Sequence, residues 1–219
     1  MDQIIEQIAH CIEFGKINRQ SPFPPDMQGQ DGADELTAQA IGDNISPDEI
    51  LQKGLISAMN VVGQKFAENR IFVPQMLMSA KAMNSALEHL KPFFASGEVK
   101  RKGKLLIATV AGDLHDIGKN LVAMMIEGAG WEVIDLGVDA HTNKFIEYLK
   151  EDSDVVIGLS ALLTTTMINM EDTVKQIKEQ FPNTRIIIGG APVTDKFRER
   201  IGADFYAPSP QEAVEFLNR

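Results

Sequence analysis

Apolar positions along this chain follow two rhythms, and the change between them falls near residue 92. Before it they recur every three or four residues. Ile4, Ile5, Ile8, Ile12 and Phe14 predict an amphipathic helix over residues 2–15, and a short helix follows over Asp34–Ile41. Ser46-Pro47-Asp48-Glu49 reads as a helix start, in which Ser caps, Pro suits the first turn and Glu completes a capping box; Ile50, Leu51, Leu55, Met59, Val62 and Phe66 continue the stripe. After a turn at Arg70–Val73, Pro74 opens a helix carrying Met76, Leu77, Ala80, Met83, Leu87 and Leu90, expected to end before Pro92. Residues 1–91 therefore predict a bundle of about four helices, with the methionines read first as core filling. Within it, residues 16–32 are polar and hold Pro22, Pro24, Pro25, Gly29 and Gly32, so an extended or mobile irregular insertion is expected.

Pro92–Gly103, PFFASGEVKRKG, has the composition of a linker. From 104 to 219 short apolar runs alternate with helical stripes. Strands are predicted at Leu105–Val110, Glu132–Leu136, Val155–Leu159, Arg185–Ile188 and Asp204–Tyr206, with helices near 118–129, 142–151, 166–180, 194–201 and 210–218. Five βα units with right-handed crossovers give an α/β domain with a parallel sheet, most economically in the flavodoxin-like order 2-1-3-4-5.

Composition adds mainly exclusions. A net charge of −10 argues against nucleic acid or an anionic membrane surface as partner. Cys11 is the single cysteine, which excludes an internal disulfide and cysteine-based metal clusters. MDQIIEQIAH lacks the pattern of a signal peptide, and no apolar run reaches membrane-spanning length, so a cytoplasmic protein is expected.

The candidate chemistry gathers at the carboxyl ends of the strands. The loop after the first strand carries Asp113, His115 and Asp116, and a carboxylate two residues before a displayed imidazole can fix its tautomer and free one ring nitrogen for a metal. The bland alternative is a solvated loop histidine. A phosphate loop, suggested by Gly112 and Gly118-Lys119, fails because the glycines are one residue too far apart, Asn120 replaces the magnesium-binding Ser or Thr, and the aspartates repel phosphate. In the predicted order, the third strand runs out into Ser160-Ala161-Leu162 and then Thr164, Thr165 and Thr166, and the fourth into Gly189-Gly190-Ala191. These segments converge with the His115 loop on one edge, where small residues leave room for a bulky ligand.

Asp113-Leu114-His115-Asp116-Ile117-Gly118, then Ser160-Ala161-Leu162 after 41 intervening residues, then Gly189-Gly190 after 26 more, resembles the signature of the cobalamin-binding (corrinoid) proteins of methyl-transfer systems, related to the cobalamin-binding module of methionine synthase. Upstream, MNVVGQKFAENRIFVPQMLMSAKAM resembles their helical cap, so the resemblance spans residues 45–219. It implies a helical cap bundle (1–91), a linker (92–103) and a Rossmann-like cobalamin-binding domain (104–219). It also implies cobalamin bound base-off, as methylcobalamin or cob(I)alamin, with other corrinoids admissible. His115 would be the axial cobalt ligand, with Asp113 and Thr166 behind it. Asp116, Ile117, Gly118, Leu162 and Thr164 would line the cofactor, Ser160 would meet the displaced base, and Gly189 and Gly190 its channel. Phe72, Met76 and Met83, all able to point one way, would be the cap's contacts.

The role so implied is a methyl carrier between a substrate-specific methyltransferase and a second methyltransferase acting on an acceptor such as a tetrahydrofolate or thiol, with a reductive activator protein as further partner. The chain would not be an enzyme by itself. Alternatives are an adenosylcobalamin-binding sensor or the cobalamin-binding subunit of a mutase; without the resemblance, a receiver-like or nucleotide-binding module remains.

Overall fold

Leu105, Leu106, Ile107 and Ala108 bring no polar side chain to either side of their strand, so this strand is stable only when covered on both faces. In the computed structural model, which describes residues 2–219, that strand is β1 (Lys104–Thr109), at the interior of a five-stranded parallel sheet with β2 (Glu132–Asp135), β3 (Val156–Ser160), β4 (Ile186–Gly189) and β5 (Phe205–Tyr206), in the order β2-β1-β3-β4-β5. The predicted topology is the observed one. Its helices are α6 (Ile117–Gly128), α7 (Thr142–Glu151), α8 (Met167–Gln180), α9 (Asp195–Ile201) and α10 (Pro210–Leu217). Leu106, Ala108, Ile157, Leu159, Ile186 and Ile188 form one buried layer with Phe145 and Leu149 of α7, Met170, Val174 and Ile177 of α8, and Phe197 of α9. The alternate residues Leu105, Ile107, Val156 and Ile187 are buried as well. The right-handed crossover from β1 to β2 places α6 over that second face.

The chain forms two contact units. One runs to Arg101 and includes Gly128–Gly130, and the other comprises Lys102–Glu127 and Trp131–Arg219. The first contains α1 (Asp2–Phe14), α2 (Ala33–Gly42), a run from α3 (Pro47–Glu49) through a π-helical stretch at Ile50–Ile56 into α4 (Ser57–Ala67), and α5 (Val73–Ser96). This is the expected bundle, corrected in three places. The Ser46 side chain makes no cap bond, and Glu49, its expected box partner, is taken by Lys53 at 2.6 Å. The helix predicted to stop before Pro92 continues to Ser96 and ends on Gly97, whose φ of 78° suits a residue without a side chain. Pro92 thus costs one backbone bond in a helix that Leu87 and Leu90 keep buried.

The third correction concerns residues 16–32, which are pinned rather than mobile. Lys16 and Ile17 accept from Ala33 N and Asp34 N, both at 3.0 Å, and Gly32 lies so close that a Cβ would be 2.5 Å from the Ile17 carbonyl. Arg19 bonds Asp31 at 2.7 Å, Glu35 accepts from Arg19 N and Gly32 N, and the buried Lys16 donates to Ser21 O at 3.0 Å. Among the described residues no helix is long and apolar enough to cross a membrane.

Cys11, packed beneath this segment, is 3% exposed, and burial pushes its thiol up from 9.0 to about 11, the nearby Lys16 charge offsetting only part of that. A thiol whose pKa is raised in the fold contributes stability that is complete below the unfolded value and declines as pH climbs from 9 toward 11. Alkylation of the native protein by iodoacetamide is therefore expected to be slow at pH 8, with its rate rising to a midpoint near 11; a midpoint near 9 would show an accessible thiol.

Candidate functional site

β1 and β3 run in register from Leu105↔Val156 to Thr109↔Ser160, and β3 and β4 end together at Ser160↔Gly189. Their carboxyl ends are therefore level, and the loops that leave them meet. The β1–α6 loop turns through Gly112 (φ 79°) and sends Asp113 inward and His115 outward: Asp113 is fully buried, and the His115 side chain is half exposed.

The buried carboxylate collects five donors. Oδ1 accepts from His115 N at 3.1 Å and faces His115 Nδ1 at 2.7 Å. Oδ2 accepts from Leu162 N at 2.8 Å, Leu163 N at 3.1 Å and Thr166 Oγ1 at 2.8 Å. Burial acting alone would raise the Asp113 pKa, but the bonds from His115, Thr166 and the backbone outweigh it and hold the carboxyl well below its ordinary 3.8. Against an ionised partner the Nδ1 of His115 carries a proton, which in the neutral ring leaves the Nε2 lone pair facing out.

Ser160 is half-buried at the strand end, and Thr164 is exposed. Gly190 (φ 127°) presses on the neighbouring loop so closely that a Cβ would lie 1.8 Å from the Ala161 carbonyl oxygen, so no other residue fits there. Gly189 is less constrained, its Cβ position 3.3 Å from Ala207 O. Asp116 Oδ2 accepts from Asn120 Nδ2 at 3.1 Å, and nothing lies within 4 Å of a Cβ on Gly118. Lys119 is buried in an ion pair with Asp135 and a 2.8 Å bond to Asn120, which removes the cation a phosphate loop would need.

Of the exposed large hydrophobic residues, Leu114, Ile117, Leu162, Leu163 and Ile168 all belong to the loops and helix starts around His115. Apolar residues gathered in water beside a polar group mark a surface that something covers. Phe72, Met76 and Met83 belong to the other unit. Met76 and Met83 are buried and Phe72 is 63% exposed, so the three do not make one exposed face.

Sequence reasoning missed further residues that hold this loop. Asn169 Nδ2 donates to Ala111 O at 2.7 Å, Asp139 accepts from Gly112 N at 2.7 Å while its own N donates to Asp113 O at 3.1 Å, and Thr109 Oγ1 donates to His115 O at 2.9 Å. Thr109 carried a signal, as the one hydroxyl in the apolar run Leu105–Val110.

A B12 binding domain model matches residues 103–215 and a second matches residues 29–91. Dimethylamine corrinoid protein 1 of Methanosarcina acetivorans is 42% identical over 78% of this chain and 81% of its own length. The chain is a corrinoid protein of the B12-binding family. The trimethylamine corrinoid protein of Methanosarcina barkeri is also similar, 39% identical over 83% of this chain and 86% of that one. Two solved structures align with nearly all of this corrinoid protein. A chain of the methanol:cobalamin methyltransferase complex of Methanosarcina barkeri does so at TM-score 0.84 and 27% identity, over 99% of this chain and 79% of its own. A cobalamin-binding protein from Desulfitobacterium hafniense DCB-2 does so at TM-score 0.73 and 26% identity, over 98% and 97%.

The residues present fit a corrinoid. His115, displayed and backed by the buried Asp113 carboxylate, would offer one ring nitrogen to a metal held in such a cofactor. The exposed leucines and isoleucines suit the broad apolar face of such a ring.

Replacing Asp113 by Asn would turn an NH2 group toward donors in either amide orientation, those of His115 or those of Leu162, Leu163 and Thr166, and is expected to destabilise the apoprotein by about 2–3 kcal/mol in urea titrations. Because the folded pKa is depressed, the carboxylate's contribution is complete above the ordinary 3.8 and declines as pH falls toward the folded value. That acid loss should be present in the parent and missing from Asp113→Asn; equal acid sensitivity would place the titration elsewhere.

Proposed function

We propose that this protein is a methyl carrier that binds cobalamin base-off, with His115 Nε2 as the lower cobalt ligand. When bound, the corrinoid supplies a cobalt centre able to accept a methyl group and give it up again. The protein's part is to hold and tune that centre. Asp113 and Thr166 fix the imidazole and set how strongly it donates, Ser160, Gly189 and Gly190 offer the small-residue channel for the nucleotide tail, and Leu114, Ile117 and Leu162 exclude water beside the ligand. The observation that carries the reading is the imidazole clamped by Nδ1 to a buried carboxylate with Nε2 free.

Two methyltransferases complete the cycle in this reading, one specific for the donor and one serving a tetrahydrofolate or thiol acceptor, with a reductive activator restoring oxidised cofactor. Relatives named for dimethylamine, trimethylamine and methanol favour a small methylated amine or alcohol as donor.

Aquacobalamin added to the purified apoprotein should give a base-off, histidine-ligated visible spectrum at about one corrinoid per chain. His115→Ala should still fold, with some loss of stability, because the side chain is half exposed and four of the five donors to Asp113 remain, yet lose that spectrum and retain the corrinoid at least about tenfold less well. A parent-like spectrum from His115→Ala would overturn the assignment. Loaded parent protein should leave methylamines and methanol untouched alone and demethylate one of them once the matching methyltransferase is added.

A further inference from the structure

We infer that Thr109 is a positioning residue for His115, acting on the ligand's backbone carbonyl while Asp113 holds its backbone N and its ring. This rests on the assignment of His115 as the cobalt ligand. Thr109 is fully buried at the end of β1, where Leu105, Leu106, Ile107 and Ala108 before it and Val110 after it are all apolar. A valine would suit that strand equally well in shape and better in solvation, so the hydroxyl must meet a need of its own. It donates to the carbonyl oxygen of His115 at 2.9 Å. The bond spans the loop that begins at β1 and ends at α6, and so sets where the His115 backbone stands above the strand.

Thr109 is itself held on every side. Its N donates to Gly137 O at 3.0 Å, and its Cα is in register with Ser160 on β3. Gly137 N donates in turn to Asp135 Oδ1 at 2.8 Å, and the other oxygen of Asp135 takes Lys119 from the first turn of α6. The ends of β1 and β2 and the start of α6 thus close a ring of polar contacts around the His115 carbonyl. Without it, the Asp113 clamp would still hold the amide and the ring of His115, but the carbonyl end of the residue would lose its restraint to β1. Axial ligation tolerates displacements of only a few tenths of an ångström, so both restraints are needed to present Nε2 at a fixed height.

The test compares Thr109→Val, which keeps the shape and removes the donor, with Thr109→Ser, which keeps the donor and removes the methyl, using His115→Ala as control. Each full-length protein is assayed as apoprotein for thermal stability and, after loading with aquacobalamin, for its visible spectrum and for corrinoid retained through gel filtration. Thr109→Val should shift the spectrum toward the histidine-off form and shed corrinoid about tenfold faster. Thr109→Ser should keep the parent spectrum and retention even where its thermal stability drops, which a merely structural role would not produce. If Thr109→Val does not fold, Thr109→Ala against Thr109→Ser makes the same comparison. Parent-like spectrum and retention in the donor-lacking variant, or equal loss in the Ser variant, would overturn the role of Thr109 alone. A parent-like spectrum from His115→Ala would instead overturn the ligand assignment on which it rests.

Discussion

A carboxylate without water stands at the centre of this site. Asp113 is fully buried and ionised, a state that costs several kcal/mol unless each oxygen is satisfied, and here five donors converge on its two oxygens. Three come from the segment after β3 and two from His115 itself, so the charge joins the loops that leave two adjacent strands. Parallel strands ending level make that convergence available. An antiparallel neighbour would send its loop to the other end of the sheet.

That dependence explains which parts were legible in the sequence. The strand order follows from short apolar runs separated by helical stripes, because a parallel sheet buried on both faces tolerates few polar positions and a right-handed crossover leaves few arrangements. The Asp113–His115 pair was legible because its partners are two residues apart, within one loop. Gly190 was legible as a small residue at a strand end, although its reason is the Ala161 carbonyl against which it packs as well as room for a ligand.

What was not legible shares one property: a partner distant in sequence, or a neighbour that already used the expected group. Residues 16–32 look mobile because prolines and glycines break periodicity, yet backbone pairing of Lys16 and Ile17 with Ala33 and Asp34 closes the segment on itself. The Ser46 box fails because Glu49 engages Lys53 instead. Pro92 reads as a stop by local rule, but tertiary burial of the preceding turns outweighs the loss of one hydrogen bond. Met76 and Met83 lie two turns apart and Phe72 just precedes their helix, but position along the chain does not say that the first two would be buried and the third exposed. Asn169 and Asp139 are single polar residues whose only message is the loop they touch, and Thr109 stands out as a hydroxyl in an apolar run without naming the His115 carbonyl it bonds.

Asp113 Oδ1 accepts from both the backbone N and the ring Nδ1 of the same residue, which closes a small cycle through His115 and removes most of the freedom of its side chain. A histidine that still had rotamers and a tautomer to choose would lose that freedom on binding, about 1 kcal/mol or more, and affinity would fall accordingly. Here the fold has already met that cost, through a charge it could not bury unless those same bonds formed. In the proposed reading, stability and readiness for the cofactor are therefore coupled in one group, and a substitution that relaxes the clamp would weaken both. The exposed leucines and isoleucines beside it carry the opposite sign: uncovered apolar surface is unfavourable in water and would be relieved by a ligand lying against it. The clamp makes the ring of His115 wait in position, and the apolar rim supplies a driving force to cover it.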